Sequence, residues 1–130
     1  MNYPLTLTSI MHHGLKLFNN CEVVSVTSDH ERHRCTFSDV FTRSEKVAKY
    51  LAAMNIDKSD RIATLAWNDF RHMELYYGVS CYGAVCHTIN PRLHPDQLKF
   101  IVNDVGIKLF SFLYIFIINK GLSKVLLIVI

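Results

Sequence analysis

Two nearly unbroken apolar runs, separated by one helix-length segment, constrain the fold of this chain more than any other feature. The first covers residues 61–67 and the second residues 84–89. The first run is typical of a strand buried on both faces, as in a parallel sheet covered by helices, and the second indicates another apolar strand. Parallel neighbours need a crossover, and a helix capped by Asn68 or Asp69 and extending through Tyr82 supplies it.

The same alternation continues toward the C-terminus. Pro91 ends the second strand, and Pro95 stands where the first turn of a helix tolerates proline. A third strand is predicted from Lys108 to about Phe112. Four apolar residues give the intervening helix its predicted buried face: Leu98, Ile101, Val102 and Val105. Strand–helix–strand–helix–strand at this spacing predicts an α/β fold, with a partial, mostly parallel sheet and flanking helices.

The first 55 residues predict two helices around a pair of short strands. Thr8 and Ser9 are expected to cap the first helix, and residues 22–27 and a segment ending near Cys35 are expected to be strands. The first helix has four apolar residues on its predicted inner side: Ile10, Met11, Leu15 and Phe18. Thr36 and Asp39 have the spacing of a capping box. They open an amphipathic helix whose packed face carries these residues: Val40, Ser44, Val47, Ala48, Leu51 and Met54.

The charge distribution argues against nucleic acid as a partner. The net charge is +3, but residues 1–106 hold 11 acidic and 11 basic residues, so the excess comes from Lys108, Lys120 and Lys124. A stripe of basic residues interleaved with aromatics is absent from the sequence. The start of the chain has neither a basic segment nor an apolar core typical of a secretory signal, so we expect a cytoplasmic protein with reduced cysteines.

The tail from Leu109 onward carries two apolar runs, one of ten residues and one from Val125 to Ile130. Neither reaches the roughly 20 residues that a membrane-spanning helix needs, and Lys120 and Lys124 interrupt them. Two buried strands, or a strand and a poor helix, are expected instead of a membrane span.

Three kinds of reactive site find no support in the sequence. The groups His30, His33, Cys35 and Cys81, Cys86, His87 lack the paired spacing of structural zinc sites, so no metal ligand is assigned. Ser80 or Cys86 with His87 would need a nucleophile elbow or a shared face, and neighbours on a strand point to opposite faces. The five glycines stand singly, which indicates turns or close packing rather than a phosphate loop.

One stretch nevertheless carries a family signature. Residues 60–68 read D-R-I-A-T-L-A-W-N and residues 83–93 read G-A-V-C-H-T-I-N-P-R-L, each followed by a predicted helix. This order resembles the start of the adenylate-forming superfamily, in particular its medium- and long-chain fatty-acid–CoA ligases. The resemblance covers roughly residues 3–104 and includes the segments 4–8 and 36–40. Ser59 stands where the family usually has glycine.

The resemblance implies an enzyme that activates a fatty acid with ATP to an acyl-adenylate and then transfers it to coenzyme A. ATP, Mg²⁺ and CoA would serve the full-length enzyme, and fatty acid and CoA would bind only when the chain is completed. The family's phosphate loop, adenine motif, ribose-binding aspartate and catalytic lysine lie downstream and have no counterpart in this sequence. The resemblance therefore implies no catalytic residue here.

Asn90 and Arg92 are the candidate substrate-side residues. They follow the C-terminal end of a predicted strand, where open α/β sheets bind ligands. The alternative, which we favour from the residues, is that Asn90-Pro91 forms a turn and Arg92 is a surface cation. Trp67 is likewise expected in the core and Asn68 at a helix cap.

The likeness fades after Asp104, so residues 1–106 are interpreted as the N-terminal portion of a ligase domain and residues 107–130 as a divergent apolar tail. A frameshift, an unspliced intron or a truncated gene would each produce such an end, although residues 124–130 also suit the family's next strand. We expect an N-terminal, catalytically incomplete ligase fragment. The alternative is a free-standing α/β interaction module without enzymatic activity, self-associating or pairing with a ligase through an exposed sheet edge.

Overall fold

The computed structural model describes residues 4–27, 30–113 and 126–129, with side chains up to residue 108. Four helices are assigned in this part of the chain: α1 (Leu7–Phe18), α2 (Phe37–Ala53), α3 (Phe70–Tyr82) and α4 (Pro95–Asp104). The first two strands form a hairpin: β1 (Glu22–Val26) and β2 (Arg32–Thr36). The other strands form the main sheet: β3 (Arg61–Ala66), β4 (Val85–Ile89), β5 (Leu109–Leu113) and β6 (Leu126–Val129).

The main sheet is parallel throughout its described pairs, in the order β4-β3-β5-β6. The predicted α/β class and parallel pairing are therefore confirmed. β6 lies in the second apolar run of the tail, and its pairing with β5 agrees with the strand interpretation of that run. Residues 114–125, which include the end of the first apolar run and the break after it, lie outside the described residues. The domain boundary at residue 106 stays a prediction.

β3 is an interior strand of the sheet, and helices cover both of its faces. Ile62 packs with Leu51 of α2 and Val79 of α3, whereas the next residue, Ala63, packs with Leu98 of α4. Successive side chains of a strand point to opposite faces, so one apolar run serves two cores. This arrangement explains why the run from residue 61 shows no polar alternation.

Local capping signals set the helix starts. The Thr36 backbone N–H donates to Asp39 Oδ2 (2.8 Å), and the Asp39 N–H donates to Thr36 Oγ1 (3.2 Å), which confirms the capping box. Of the two residues considered for α3, Asp69 is the cap. Pro95 occupies the first turn of α4, as predicted.

Three expectations were wrong. The cap of α1 is Thr6 rather than Thr8 or Ser9, because its side chain accepts the N–H of Ser9. On α1 only Met11 is buried, while Ile10 and Phe18 are more than half exposed, since helical periodicity alone does not say how wide the covered stripe is. Trp67 is 47% exposed rather than in the core, because it follows Ala66, the last residue of β3, and so lies beyond the strand.

Candidate functional site

An open groove of about 1310 Å³ lies where β3 and β4 end, facing β1. Four segments line it: residues 23–27, residues 66–69, residues 88–92, and His72, Met73 and Tyr76 on α3. Parallel strands present their carboxyl ends at one edge of a sheet, which is where open α/β sheets bind ligands. The groove is therefore the candidate functional site of the described part of the chain.

Asn90 and Arg92 both line this groove. The Asn90 side-chain oxygen accepts the backbone N–H of Arg92 (3.0 Å), and the Asn90 carbonyl accepts the N–H of Leu93 (3.3 Å). Asn90 thus has the geometry of a turn residue, as the alternative interpretation expected. The Arg92 guanidinium lies 5.2 Å from the centroid of the Trp67 ring, a cation–π distance. The two predicted residues, Asn90 and Arg92, therefore lie at the groove beside Trp67, which the sequence had wrongly assigned to the core.

His72 is a polar groove residue that sequence reasoning did not single out. Its Nε2 lies 3.0 Å from Thr64 Oγ1 and its Nδ1 lies 3.2 Å from Asn68 Oδ1. With Asn68 placed this way, its oxygen only accepts, so Nδ1 carries the proton and Nε2 accepts from the Thr64 hydroxyl. Burial lowers the pKa of His72, and the nearby Asp69 carboxylate partly opposes this. His72 is therefore a neutral imidazole fixed by two partners.

Asp69 places a carboxylate in the groove wall, but this carboxylate is engaged. Its Oδ1 accepts the N–H groups of Arg71 and His72 (2.9 and 3.2 Å), and its Oδ2 lies 3.1 Å from the Arg71 guanidinium. It caps α3, which is one of the two positions the sequence offered for this cap, and it also pairs with the neighbouring Arg71 cation. The closeness in sequence of the polar residues at 64, 68, 69 and 72, across the end of β3 and the start of α3, would have been the signal for this cluster.

The residues considered for nucleophilic or metal chemistry do not form a reactive site in the part of the chain whose side chains are described. Burial raises the pKa of the Cys86 thiol to about 11, so this thiol is protonated at neutral pH. Within residues 4–27 and 30–108, whose side chains are described, three or more His, Cys, Asp or Glu residues nowhere converge as metal ligands would. Of the described helices, none combines the length and apolarity needed to cross a membrane.

A second polar cluster lies away from the groove, between α2, α3 and the hairpin. Arg43 Nη1 of α2 donates to Glu74 Oε1 of α3 at 2.9 Å, and the Glu74 side chain is only 11% exposed. Burial raises the pKa of Glu74, and the hydrogen bond and charge of Arg43 oppose that effect. The His33 ring stacks on Phe70 with centroids 3.7 Å apart. The ion pair joins α2 to α3 and the ring stack joins the hairpin to α3, and none of these four residues lines the groove.

Comparison with protein families identifies one match. The family described as "AMP-binding enzyme" matches residues 18–120, which include the groove residues.

Curated relatives agree with this match. A 3-methylmercaptopropionyl-CoA ligase of Ruegeria lacuscaerulensis is 40% identical over 103 residues, which are 79% of this chain and 19% of the relative. A medium-chain-fatty-acid–CoA ligase of Ectopseudomonas oleovorans is 43% identical over 103 residues, with the same two coverages. A long-chain-fatty-acid–CoA ligase of Thermus thermophilus is 38% identical over 112 residues, 86% of this chain and 21% of the relative.

Solved structures give the same result. A fatty acyl CoA synthetase of Mycobacterium tuberculosis superposes with a TM-score of 0.72 at 26% identity, covering 82% of this chain and 21% of that protein. A fatty acid AMP ligase of Legionella pneumophila reaches 0.80 at 15% identity, covering 95% and 23%, and so supports the fold alone. The chain spans about a fifth of the length of the curated relatives it matches.

Proposed function

The chain belongs to the AMP-binding enzyme family, and from this premise we propose that it forms the opening part of an ATP-dependent, AMP-forming fatty-acid–CoA ligase and is catalytically incomplete by itself. The observation that carries the proposal is 38–43% identity to medium- and long-chain ligases, confined to about a fifth of their length. In the complete enzyme the cofactors would be ATP and Mg²⁺, and the acyl acceptor would be CoA. A cytoplasmic location belongs to the same proposal.

The polar side chains in the groove are engaged by their neighbours, which favours an incomplete site over an active one. His72, whose pKa is lowered by burial, is engaged by Thr64 and Asn68, and the Asp69 carboxylate is engaged by the start of α3. ATP activation needs groups that cradle and neutralise phosphates. The sequence contains neither a glycine-rich phosphate loop nor its terminal lysine. We therefore expect no pyrophosphate release from ATP and fatty acid by the full chain alone.

Asn90 and Arg92 are proposed as substrate-side residues of the completed enzyme. Arg92 is exposed at the groove lip and keeps its guanidinium over Trp67. Asn90 would act indirectly, because its side-chain oxygen fixes the turn that presents Arg92. In a completed enzyme, Arg92→Ala should raise KM more than it lowers kcat, and Arg92→Lys should restore part of the loss. A change in kcat alone would argue against a binding role.

A chimera tests the proposal directly. The full chain replaces the segment of the Ectopseudomonas medium-chain ligase that it matches, and acyl-CoA formation is measured with medium-chain acids. The proposal expects the chimera to make acyl-CoA, while the chain alone releases no pyrophosphate above a control without protein. A folded but inactive chimera, or pyrophosphate release by the chain alone that is lost on mutating the chain, would contradict it.

A free-standing interaction module is the second candidate function. The exposed apolar groove, with Val24, Val26 and Trp67 each near half exposed or more, is the observation that favours it. A module of this kind should be a monodisperse monomer with a cooperative unfolding transition. Sedimentation and urea unfolding of the full chain separate this candidate from a segment that needs further polypeptide for stability.

A further inference from the structure

The charge of Arg92 is met differently from that of the other arginine near the groove. Arg71, at the start of α3, pairs with the Asp69 carboxylate at 3.1 Å. In the part of the chain whose side chains are described, Arg92 pairs with no carboxylate, and its guanidinium lies over the Trp67 ring, 5.2 Å from the ring centroid. An indole carries no net charge, so this contact orients the guanidinium without neutralising it. Arg92 therefore keeps its charge for a further partner.

Arg92 is fixed at both its backbone and its side chain. The Asn90 side-chain oxygen accepts the Arg92 backbone N–H (3.0 Å), and the Trp67 ring contacts the guanidinium. A long side chain that is free in water occupies many rotamers, and fixing it on binding costs entropy. A ring that already restricts the guanidinium lowers this cost before any ligand arrives. The contact thus preorganises the one cation that Arg92 offers to the groove.

Trp67 is exposed, but hydrogen bonds tie the segment that carries it to α3. The Asp69 backbone N–H donates to the Trp67 carbonyl oxygen (3.0 Å), and the Asp69 side chain caps α3. The Asn68 side-chain oxygen lies 3.2 Å from Nδ1 of His72, in the first turn of α3. The two residues after Trp67 are therefore both anchored to the start of one helix. This arrangement presents the indole at a fixed place beside Arg92.

We propose that Trp67 is a positioning residue, which holds the Arg92 guanidinium at the groove. The hydrogen bond between Asn68 and His72 keeps the indole in place for this contact. The inference rests on the proposed function, in which Arg92 contacts the substrate, and adds the residues through which Arg92 is placed. Trp67 acts through Arg92, so its effect on substrate binding disappears when Arg92 is absent.

Nuclear magnetic resonance of the full chain tests the contact independently of activity. Trp67 is the only tryptophan of the chain, so its indole signals are unambiguous. We expect Overhauser contacts between the indole and the Arg92 δ-methylene protons, and an upfield displacement of these protons, because an aromatic ring shields protons over its face. Trp67→Phe should retain part of the displacement and Trp67→Leu should remove it. Absence of both signals from the folded full chain overturns the proposal.

Two substitutions at Asn68 test the anchoring of the indole. Asn68 is exposed, so replacing it leaves the packed core intact. Asn68→Ala removes the acceptor for His72 and should reduce the upfield displacement of the Arg92 protons. Asn68→Asp keeps an acceptor oxygen and should retain the displacement. Equal displacements in the two variants overturn the anchoring role of Asn68 and His72.

Kinetics of the chimera described above test the role in the site. Trp67→Leu should raise KM about two- to fivefold with little change in kcat, and Trp67→Phe should restore part of the loss. In the Arg92→Ala background Trp67→Leu should add no further rise, because residues that act through one contact are not additive. An equal rise in both backgrounds overturns the positioning role. Phe100→Asp, at an exposed site outside the groove lining, is the control and should leave KM unchanged.

The outcomes distinguish the two proposals. A folded but inactive chimera contradicts the proposed function, and the signals of the full chain then decide the placement of Arg92: their presence supports it and their absence overturns it. An active chimera in which Trp67→Leu raises KM equally with and without Arg92 overturns the positioning role and leaves the proposed function standing.

Discussion

Two regions of the molecule are packed to different degrees. In the interface between α2 and α3, Leu51 and Val79 are buried and Gly78 brings the helices into backbone contact. In the groove wall, formed by β1 and the residues that follow β3, Val26 and Trp67 are about half exposed or more. The first region is completed by residues that the structure describes, and the second presents apolar surface with nothing described to cover it. We therefore expect substitutions in the α2–α3 interface to destabilise the fold more than substitutions in the groove wall do.

Gly78→Ala should have the largest effect. A Cβ at this position would lie 2.6 Å from Val47 Cβ and 2.8 Å from the Ser44 carbonyl oxygen, so the helices would have to move apart. We expect a loss of about 3 kcal/mol in the free energy of unfolding, measured by urea denaturation of the full chain. Val26→Ala in the groove wall should cost less than about 0.5 kcal/mol. Equal losses for the two substitutions would contradict the inferred difference in packing between the two regions.

Arg43→Ala should have the second-largest effect on stability, because it leaves the buried Glu74 carboxylate without its partner. Glu74 is mostly covered, and losing Arg43 removes both its hydrogen bond and its counter-charge, for a loss of about 1–2 kcal/mol at neutral pH. The matched control is Arg34→Ala, which breaks an ion pair with Glu22 whose side chains are more than half exposed and should cost less than about 0.5 kcal/mol. A larger loss for Arg34→Ala would contradict the packing difference.

The cost of Arg43→Ala should also depend on pH. The folded-state pKa of Glu74 is raised, chiefly by burial, so the folded state holds this proton to higher pH than the unfolded state does. Ionisation of Glu74 therefore weakens the fold as pH rises from the ordinary glutamate range, and without Arg43 the carboxylate has less compensation. The difference between Arg43→Ala and the unsubstituted chain should be small in acid and grow toward neutral pH. A constant difference would exclude Glu74 as the cause.

His72 lies between the two regions and should give a smaller, opposite dependence. Its folded-state pKa is lowered, chiefly by burial, so its neutral form is favoured in the folded state. Stability should fall as pH decreases below the ordinary histidine value toward the folded-state value. His72→Gln retains groups for both Thr64 and Asn68 and removes the titration. Thermal unfolding of both proteins across this range should show the fall only in the unsubstituted chain.

Ser59→Gly should have the smallest effect and the opposite sign. Ser59 adopts a left-handed backbone conformation with φ of 72°, which glycine tolerates without strain. Its N–H donates to Gly83 O (2.8 Å), a bond that glycine keeps. We expect a gain of about 0.5 kcal/mol after the entropy of glycine in the unfolded chain is included. Asn55→Gly, at φ of 55° where asparagine is already tolerated, is the control and should change little.

The elements that were predicted correctly are those with local causes. The capping box of Thr36 and Asp39 spans three residues, and the cap at Asp69 acts on the two to three residues that follow it. Neither needs knowledge of the rest of the fold. Parallel pairing was also predictable, since unbroken apolar runs joined by helix-length segments leave few alternatives.

The candidate site was predicted only in part, because its contacts join distant segments. Asn90 and Arg92 were found from their place after a strand, but the contact of Arg92 with Trp67 crosses from one strand end to the next. The hydrogen bond between Thr64 and His72 depends on how α3 folds back over β3. Trp67 was wrongly assigned to the core, because its hydrophobicity does not reveal that β3 ends one residue before it.

The sequence by itself determined the helices, the strands, the parallel pairing of the main sheet and the family resemblance, since each depends on periodicity, capping or a short motif. Tertiary structure decided that β5 lies beside β3, which places β3 in the interior of the described sheet and β4 at one end of it. It also decided that Arg43 meets Glu74 from 31 residues away, and that β1 forms one wall of the groove. These features depend on side chains far apart in the chain meeting in space, which local patterns do not encode.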